Sequence, residues 1–76
     1  MKDWQKRVIE EKNELTKKII KLGSFFGAEE YEKIDDNQKG LLLAQHYFMD
    51  EYSQILSKRI ALFYREDSKW AWQWSY

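Results

Sequence analysis

The stretch LLLAQHYFMDEYSQILSKRIALF, residues 41–63, decides the fold of this 76-residue chain. Its large apolar residues occur as adjacent pairs that recur every seven residues: Leu41-Leu42, Phe48-Met49, Ile55-Leu56 and Leu62-Phe63. A period of seven predicts a long helix whose apolar seam faces other helices. Because each repeat is a pair, this helix carries two adjacent apolar stripes and needs more than one neighbour.

We name the two stripes after their first residues. The Leu41 stripe consists of Leu41, Gln45, Phe48, Tyr52, Ile55, Arg59 and Leu62. The Leu42 stripe consists of Leu42, His46, Met49, Ser53, Leu56, Ile60 and Phe63. We expect one stripe to pack within the chain and the second to be covered by another copy of the chain.

The residues before this stretch predict a first long helix. Apolar residues at helical spacing run from Trp4 to Phe26, and Asp3 is a candidate N-cap. Gly23 is a possible early end, but the stripe continues beyond it, which favours a helix that ends at Gly27.

The elbow between the helices has its own signals. Residues 28–34 predict a short helical turn in which Tyr31 folds back onto the hairpin. Asp35, with Gln38 three residues later, resembles a capping box and predicts the start of the second long helix, which runs to about residue 65.

The predicted fold is therefore all-α, with two long antiparallel helices joined by a short helical elbow and self-associating into a helical oligomer. We divide the chain into a helical hairpin domain, residues 1–66, and a Trp-rich C-terminal tail, residues 67–76. The antiparallel arrangement places Trp4 near Phe63. A chain this small buries a modest core, and without cysteine the remaining source of stability is association.

Composition argues against several function classes. Thirteen basic side chains balance thirteen acidic ones, whereas a duplex nucleic-acid binder needs a basic excess. No apolar run approaches the roughly 18 residues of a membrane span, and the N-terminal stretch has no apolar segment. There is no phosphate loop, nucleophile motif or metal-ligand spacing. We therefore expect a soluble, non-enzymatic protein with no catalytic residue, cofactor or metal.

Two polar-headed residues, Tyr52 and Arg59, interrupt the Leu41 stripe. An arginine there must be paired or reach solvent. One explanation is a Glu11–Arg59 ion pair across the hairpin. The other is a pocket between subunits, lined by Arg7, Lys18, Tyr52 and Arg59. Guanidinium groups hold phosphate and a tyrosine ring stacks on a base, so this pocket would suit a nucleotide or cyclic nucleotide.

The tail KWAWQWSY, residues 69–76, places Trp70, Trp72 and Trp74 at alternating positions. Three explanations stay open. The tail closes the bundle, or it pairs with its equivalent across a symmetry axis, or it presents tryptophan faces to a ligand or a partner protein. These three tryptophans join the candidate ligand-binding residues.

The stretches DWQKRVIEEKNELTKKIIKL, residues 3–22, and LLLAQHYFMDEYSQILSKRI, residues 41–60, resemble a family of small helical-hairpin proteins of tailed bacteriophages and prophages. The resemblance covers residues 3–63. It implies a phage origin and a helical hairpin. Small phage proteins commonly inhibit host functions, including antiviral defence, and some all-helical families form oligomers that sequester cyclic nucleotide immune signals.

Residues and resemblance together lead to one hypothesis and two alternatives. The leading hypothesis is a phage-encoded counter-defence protein that sequesters a nucleotide-type signal as a homo-oligomer in the cytoplasm of the bacterial host. The first alternative is an inhibitor anchored in a host bacterial protein by the C-terminal tryptophans. The second is a structural or assembly protein of the phage.

Overall fold

A computed structural model describes residues 1–64 of the chain. This part consists of three helices: α1, Asp3–Phe25; α2, Glu29–Lys33; and α3, Asp36–Phe63. The two long helices α1 and α3 pack against each other, which confirms the all-α hairpin with a short helical elbow. The three tail tryptophans and the predicted boundary at residue 66 lie outside the described residues.

Helix α1 starts and ends close to the predicted positions. The prediction of Asp3 as the N-cap is wrong, because Lys2 is the N-cap and Asp3 is the first helical residue, where its negative charge suits the helix dipole. The backbone N–H of Lys2 donates to Oε1 of Gln5 over 2.8 Å, which is the reciprocal half of a capping box. The helix continues through Gly23 and ends at Phe25, so the prediction of the longer helix is confirmed.

The elbow and the start of α3 also follow the prediction. Tyr31 folds back and contacts Phe25 and Phe26 edge to face, with ring centroids 5.8 and 5.3 Å apart. Asp35 is the N-cap of α3, as predicted, and its carboxylate accepts a hydrogen bond from the backbone N–H of Asn37 over 3.0 Å. The bond goes to the second helical residue, whereas a capping box uses the third.

The core lies between α1 and the Leu42 stripe of α3. Its buried members are Val8, Leu56 and Phe63, with Trp4, Ile9, Leu15 and Ile60 packed against them. The rings of Trp4 and Phe63 meet edge to face at 5.1 Å, which confirms the antiparallel register. The Leu42 stripe is therefore the one that finds its partner within the chain.

The Leu41 stripe stays largely uncovered by the described residues. Leu41, Phe48 and Ile55 are exposed by 65, 66 and 53%. Within residues 1–64, a single hairpin thus buries the Leu42 stripe and leaves the Leu41 stripe largely exposed. None of the helices within residues 1–64 combines the length and the hydropathy needed to cross a membrane.

Leu56 is fully buried, and its truncation tests this packing. We expect Leu56→Ala to lower the free energy of unfolding by about 2–5 kcal/mol, because it removes buried methyl groups and leaves a cavity. Urea unfolding followed by circular dichroism measures the change. Ile20→Ala is the control, since Ile20 is 63% exposed on α1 and its truncation should stay within about 0.5 kcal/mol. Equal losses in both variants would contradict the assignment of the core.

Candidate functional site

The candidate site lies along one side of the hairpin, where the Leu41 stripe borders α1. Its central contact joins the two long helices, because the hydroxyl of Tyr52 donates a hydrogen bond to Oε2 of Glu11. Tyr52 is 42% exposed and Glu11 is exposed, so the contact is open to solvent. This bond fixes the level at which the middle of α1 meets the middle of α3.

Arg59 does not form the expected ion pair. Within residues 1–64, Glu11 is engaged by Tyr52, and the Nε atom of Arg59 is buried without a hydrogen-bond partner. The prediction of a Glu11–Arg59 pair is therefore wrong. An unmade hydrogen bond of a buried donor costs about 1–3 kcal/mol, and more for a charged group. Among the described residues, the Nε–H of Arg59 is thus a donor that lacks an acceptor.

The charges around Tyr52 are coupled. The hydrogen bond to Glu11 raises the pKa of Tyr52 above its ordinary value, and partial burial and the negative charge of Glu11 act in the same direction. The positive charge of Arg59 opposes this rise in pKa. Tyr52 is therefore kept as a neutral hydrogen-bond donor. The guanidinium of Arg59 is close enough for its charge to affect the pKa of Tyr52.

The two α1 cations of the predicted site lie on the same side as Glu11. At 3.6 residues per turn, Arg7 and Lys18 are offset from Glu11 by roughly 40° and 20° around the helix. Arg7 lies between the Trp4–Phe63 and Glu11–Tyr52 contacts, so it is level with Arg59. Lys18 lies about 10 Å from Glu11 along α1, in the direction of the elbow. Both side chains are exposed.

His46 has a packing role in the described structure. Its ring meets Phe26 edge to face at 5.3 Å, and its Nε2 atom lies 3.5 Å from where a Cβ on Gly23 would stand. A Cβ at residue 23 would thus make only ordinary van der Waals contact with the histidine ring, so this packing does not require glycine. Within residues 1–64, no three His, Cys, Asp or Glu side chains gather as a metal site would require.

One contact that the sequence analysis missed lies in the acidic elbow. Lys39 has its Nζ atom 3.7 Å from Glu32 and 3.9 Å from Asp36, and it lies 5.5 Å from the ring centroid of Tyr31. The fourth residue of α3 thus offsets part of the negative charge that precedes it. An i,i+3 pairing of Asp36 with Lys39 was visible in the sequence, but the reach across to α2 was not.

Comparison by sequence relates the chain to a protein family. The model of the Sequestin family aligns with residues 2–62, which takes in α1, α2 and all but the last residue of α3. No curated protein and no solved structure matches the chain. The matched span contains Arg7, Lys18, Tyr52 and Arg59.

The Tyr52–Glu11 contact predicts a dependence of stability on alkaline pH. Because the folded-state pKa of Tyr52 is raised, the contact stabilises the fold below the unfolded-state pKa and is lost as the pH rises through the folded-state value. We expect Tyr52→Phe to be less stable than wild type at neutral pH, and this difference to shrink as the pH rises above the unfolded-state pKa of about 10 and to vanish above the higher folded-state pKa. Urea unfolding at both pH values measures it.

Tyr64→Phe is the matched control, because Tyr64 is 73% exposed at the end of α3. Its difference from wild type should be small at neutral pH. A Tyr52→Phe defect that persists unchanged above the alkaline transition would rule out the phenol–carboxylate bond as its cause.

Proposed function

The chain belongs to the Sequestin family, and from this premise we propose that it is a phage-encoded counter-defence protein that sequesters a nucleotide-type immune signal in an oligomer. The family name denotes sequestration, which supports the binding and holding of a ligand without turnover. The cyclic nucleotide, the phage origin and the action in the cytoplasm of the bacterial host are our proposals.

The observation that carries this proposal is the Nε atom of Arg59, which has no hydrogen-bond partner within residues 1–64. Arg59 as a whole is only partly buried, so its side chain can turn outward, and this turn is needed before an oxyanion reaches the Nε atom, which has no accessible surface. A phosphate matches the planar array of guanidinium donors and would supply the acceptor that the described chain does not. Arg7, level with Arg59 on α1, adds a second positive charge at this end of the hairpin.

Tyr52 and Glu11 determine how a nucleotide would be oriented in the proposed site. The hydroxyl of Tyr52 is held by Glu11, so the partly exposed ring is available to stack on a base. The carboxylate of Glu11 repels phosphate and therefore favours its placement at Arg59. Lys18 is too far away to share one phosphate with Arg59, and it suits a ligand that carries a second phosphate.

The tail tryptophans Trp70, Trp72 and Trp74 remain part of the proposed site as further stacking surfaces. They lie outside the described residues, so their contribution is tested by removal. A chain that ends at Asp67 should bind the same nucleotide more weakly if the tryptophans stack on it. It should bind with equal strength if Tyr52 alone meets the base.

Isothermal titration calorimetry against a panel of cyclic nucleotides tests the proposal directly. We expect at least one member to bind, and Arg59→Gln to weaken that binding by about 10- to 100-fold, because a charged hydrogen bond to phosphate is lost. Lys58→Gln is the matched control, since it removes the same charge from the adjacent position. Its affinity should change by less than about threefold.

Two outcomes would overturn the proposal. In the first, the whole panel gives no heat of binding with a protein that is folded and oligomeric. In the second, Lys58→Gln and Arg59→Gln weaken binding equally, so that only overall charge matters. Under the first outcome, capture of a defined host protein by the intact chain and not by the chain ending at Asp67 would favour the inhibitor anchored by tryptophans.

A further inference from the structure

Glu11 is a carboxylate that forms no ion pair although it lies beside the proposed anion site. Its Oε2 atom accepts the hydroxyl bond of Tyr52, and within residues 1–64 no hydrogen bond goes to its Oε1 atom. No lysine or arginine of this part of the chain pairs with it, although Arg7 lies four residues earlier on α1. A negative charge close to a bound phosphate lowers the affinity for that phosphate, so the charge of Glu11 needs another explanation.

The contact with Tyr52 does not by itself require a charged residue at position 11. The carbonyl oxygen of a glutamine accepts the same hydroxyl bond and does not repel phosphate. What a carboxylate adds is acceptor capacity, because its two oxygens together accept about four hydrogen bonds and donate none. Glu11 therefore has unused capacity for the N–H or O–H donors of a ligand.

The level of Glu11 along the hairpin decides which part of a nucleotide it meets. Its partner Tyr52 is seven residues from Arg59, which is about 10 Å along α3. A phosphate held at Arg59 is followed by the sugar and then by the base, so the part that reaches Tyr52 is the base. Phe48 and Ile55, one turn to either side of Tyr52, are exposed by 66 and 53% and give a flat base apolar surroundings.

We propose that Glu11 selects the base of the nucleotide, and that it favours a base with an amino group on the edge used for base pairing. The inference rests on the proposed function, since it requires a base stacked on the ring of Tyr52. A base that covers this ring has one edge beside the hydroxyl end, where Glu11 lies. Adenine, guanine and cytosine carry an amino group that can donate to a carboxylate there, whereas hypoxanthine and uracil have none.

The proton between Tyr52 and Glu11 supports this selection. Because the hydrogen bond to Glu11 raises the pKa of Tyr52, the phenol keeps its proton at neutral pH and the carboxylate remains an acceptor. An amino group placed against this carboxylate gains a hydrogen bond to a charged acceptor. A carbonyl oxygen in the same place faces a second acceptor, with no proton between them.

Calorimetry with matched nucleotides tests the base selection. The probes are cyclic monophosphates in three pairs: guanosine with inosine, adenosine with purine riboside, and cytidine with uridine. In each pair that binds, we expect the member with the amino group to bind at least about 10-fold more tightly, because a hydrogen bond to a charged acceptor is lost in the other. In Glu11→Gln the preference should fall below about threefold, because an amide both donates and accepts.

Glu10→Gln is the matched control, since it removes the same charge from the adjacent exposed position of α1. It should leave the preference for the amino group unchanged. Glu11→Gln keeps an acceptor for Tyr52, so urea unfolding of both variants should show an intact fold. The cyclic monophosphate of deoxyguanosine tests the sugar, and it should bind about as tightly as that of guanosine.

The results that overturn the inference separate it from the proposed function. Binding with equal affinity within every pair overturns the base selection and leaves the proposed function standing. The same holds if the preference survives in Glu11→Gln, or if Glu11→Gln abolishes a preference for the sugar hydroxyl and not for the amino group. A folded protein that binds none of the probes overturns the proposed function, and the inference with it.

Discussion

The packing of the Leu42 stripe against α1 is the constraint on which the rest of this hairpin depends. Once Val8, Leu56 and Phe63 are buried together, α3 can no longer rotate about its axis. The direction in which every other residue of α3 faces is then determined. The Leu41 stripe is turned about a quarter of a turn away from the core, because successive helical residues differ by about 100°. One short hairpin has no third helix to cover it. Exposed apolar surface is therefore a direct consequence of the core.

The same rotation decides the electrostatics along the side of the hairpin. It brings the Tyr52 hydroxyl, rather than the Arg59 guanidinium, against Glu11. The carboxylate of Glu11 already accepts a hydrogen bond from Tyr52, and Arg59 lies about two turns further along α3. Within the part of the chain that the structure describes, the covered Nε atom of Arg59 is then left without an acceptor. The orphaned donor follows from the register of the helices and is not an isolated defect.

Much of the fold could be predicted from the sequence, because it depends on periodicity and end signals. The heptad pairs predicted α3, Asp35 predicted its start, and the continuation of the stripe to Phe26 predicted that α1 passes Gly23. The choice between Tyr52 and Arg59 as the partner of Glu11 could not be predicted. It depends on side-chain direction and on a difference of about 10 Å in level between two residues of one stripe.

The two glycines inside the long helices are a second feature that the sequence alone does not distinguish. Gly23 and Gly40 have the same helix propensity, so from the sequence alone each is expected to lower the stability of its helix by the same amount. The structure distinguishes the surroundings of the two glycines. His46 lies in van der Waals contact with a Cβ placed at Gly23, whereas no described atom lies within 4 Å of a Cβ placed at Gly40. The candidate site was likewise visible only as residue types. Its geometry required the contact between helices, and Trp70, Trp72 and Trp74 lie outside the described residues.

The distribution of charge along the hairpin favours anion binding at the end that lies away from the elbow. The elbow concentrates acidic residues: Glu29, Glu30, Glu32, Asp35 and Asp36. A phosphate bound near them would be repelled. Arg59 lies roughly 34 Å along α3 from Asp36, several Debye lengths away at physiological ionic strength. The acidic elbow therefore does not oppose anion binding near the opposite end of the hairpin.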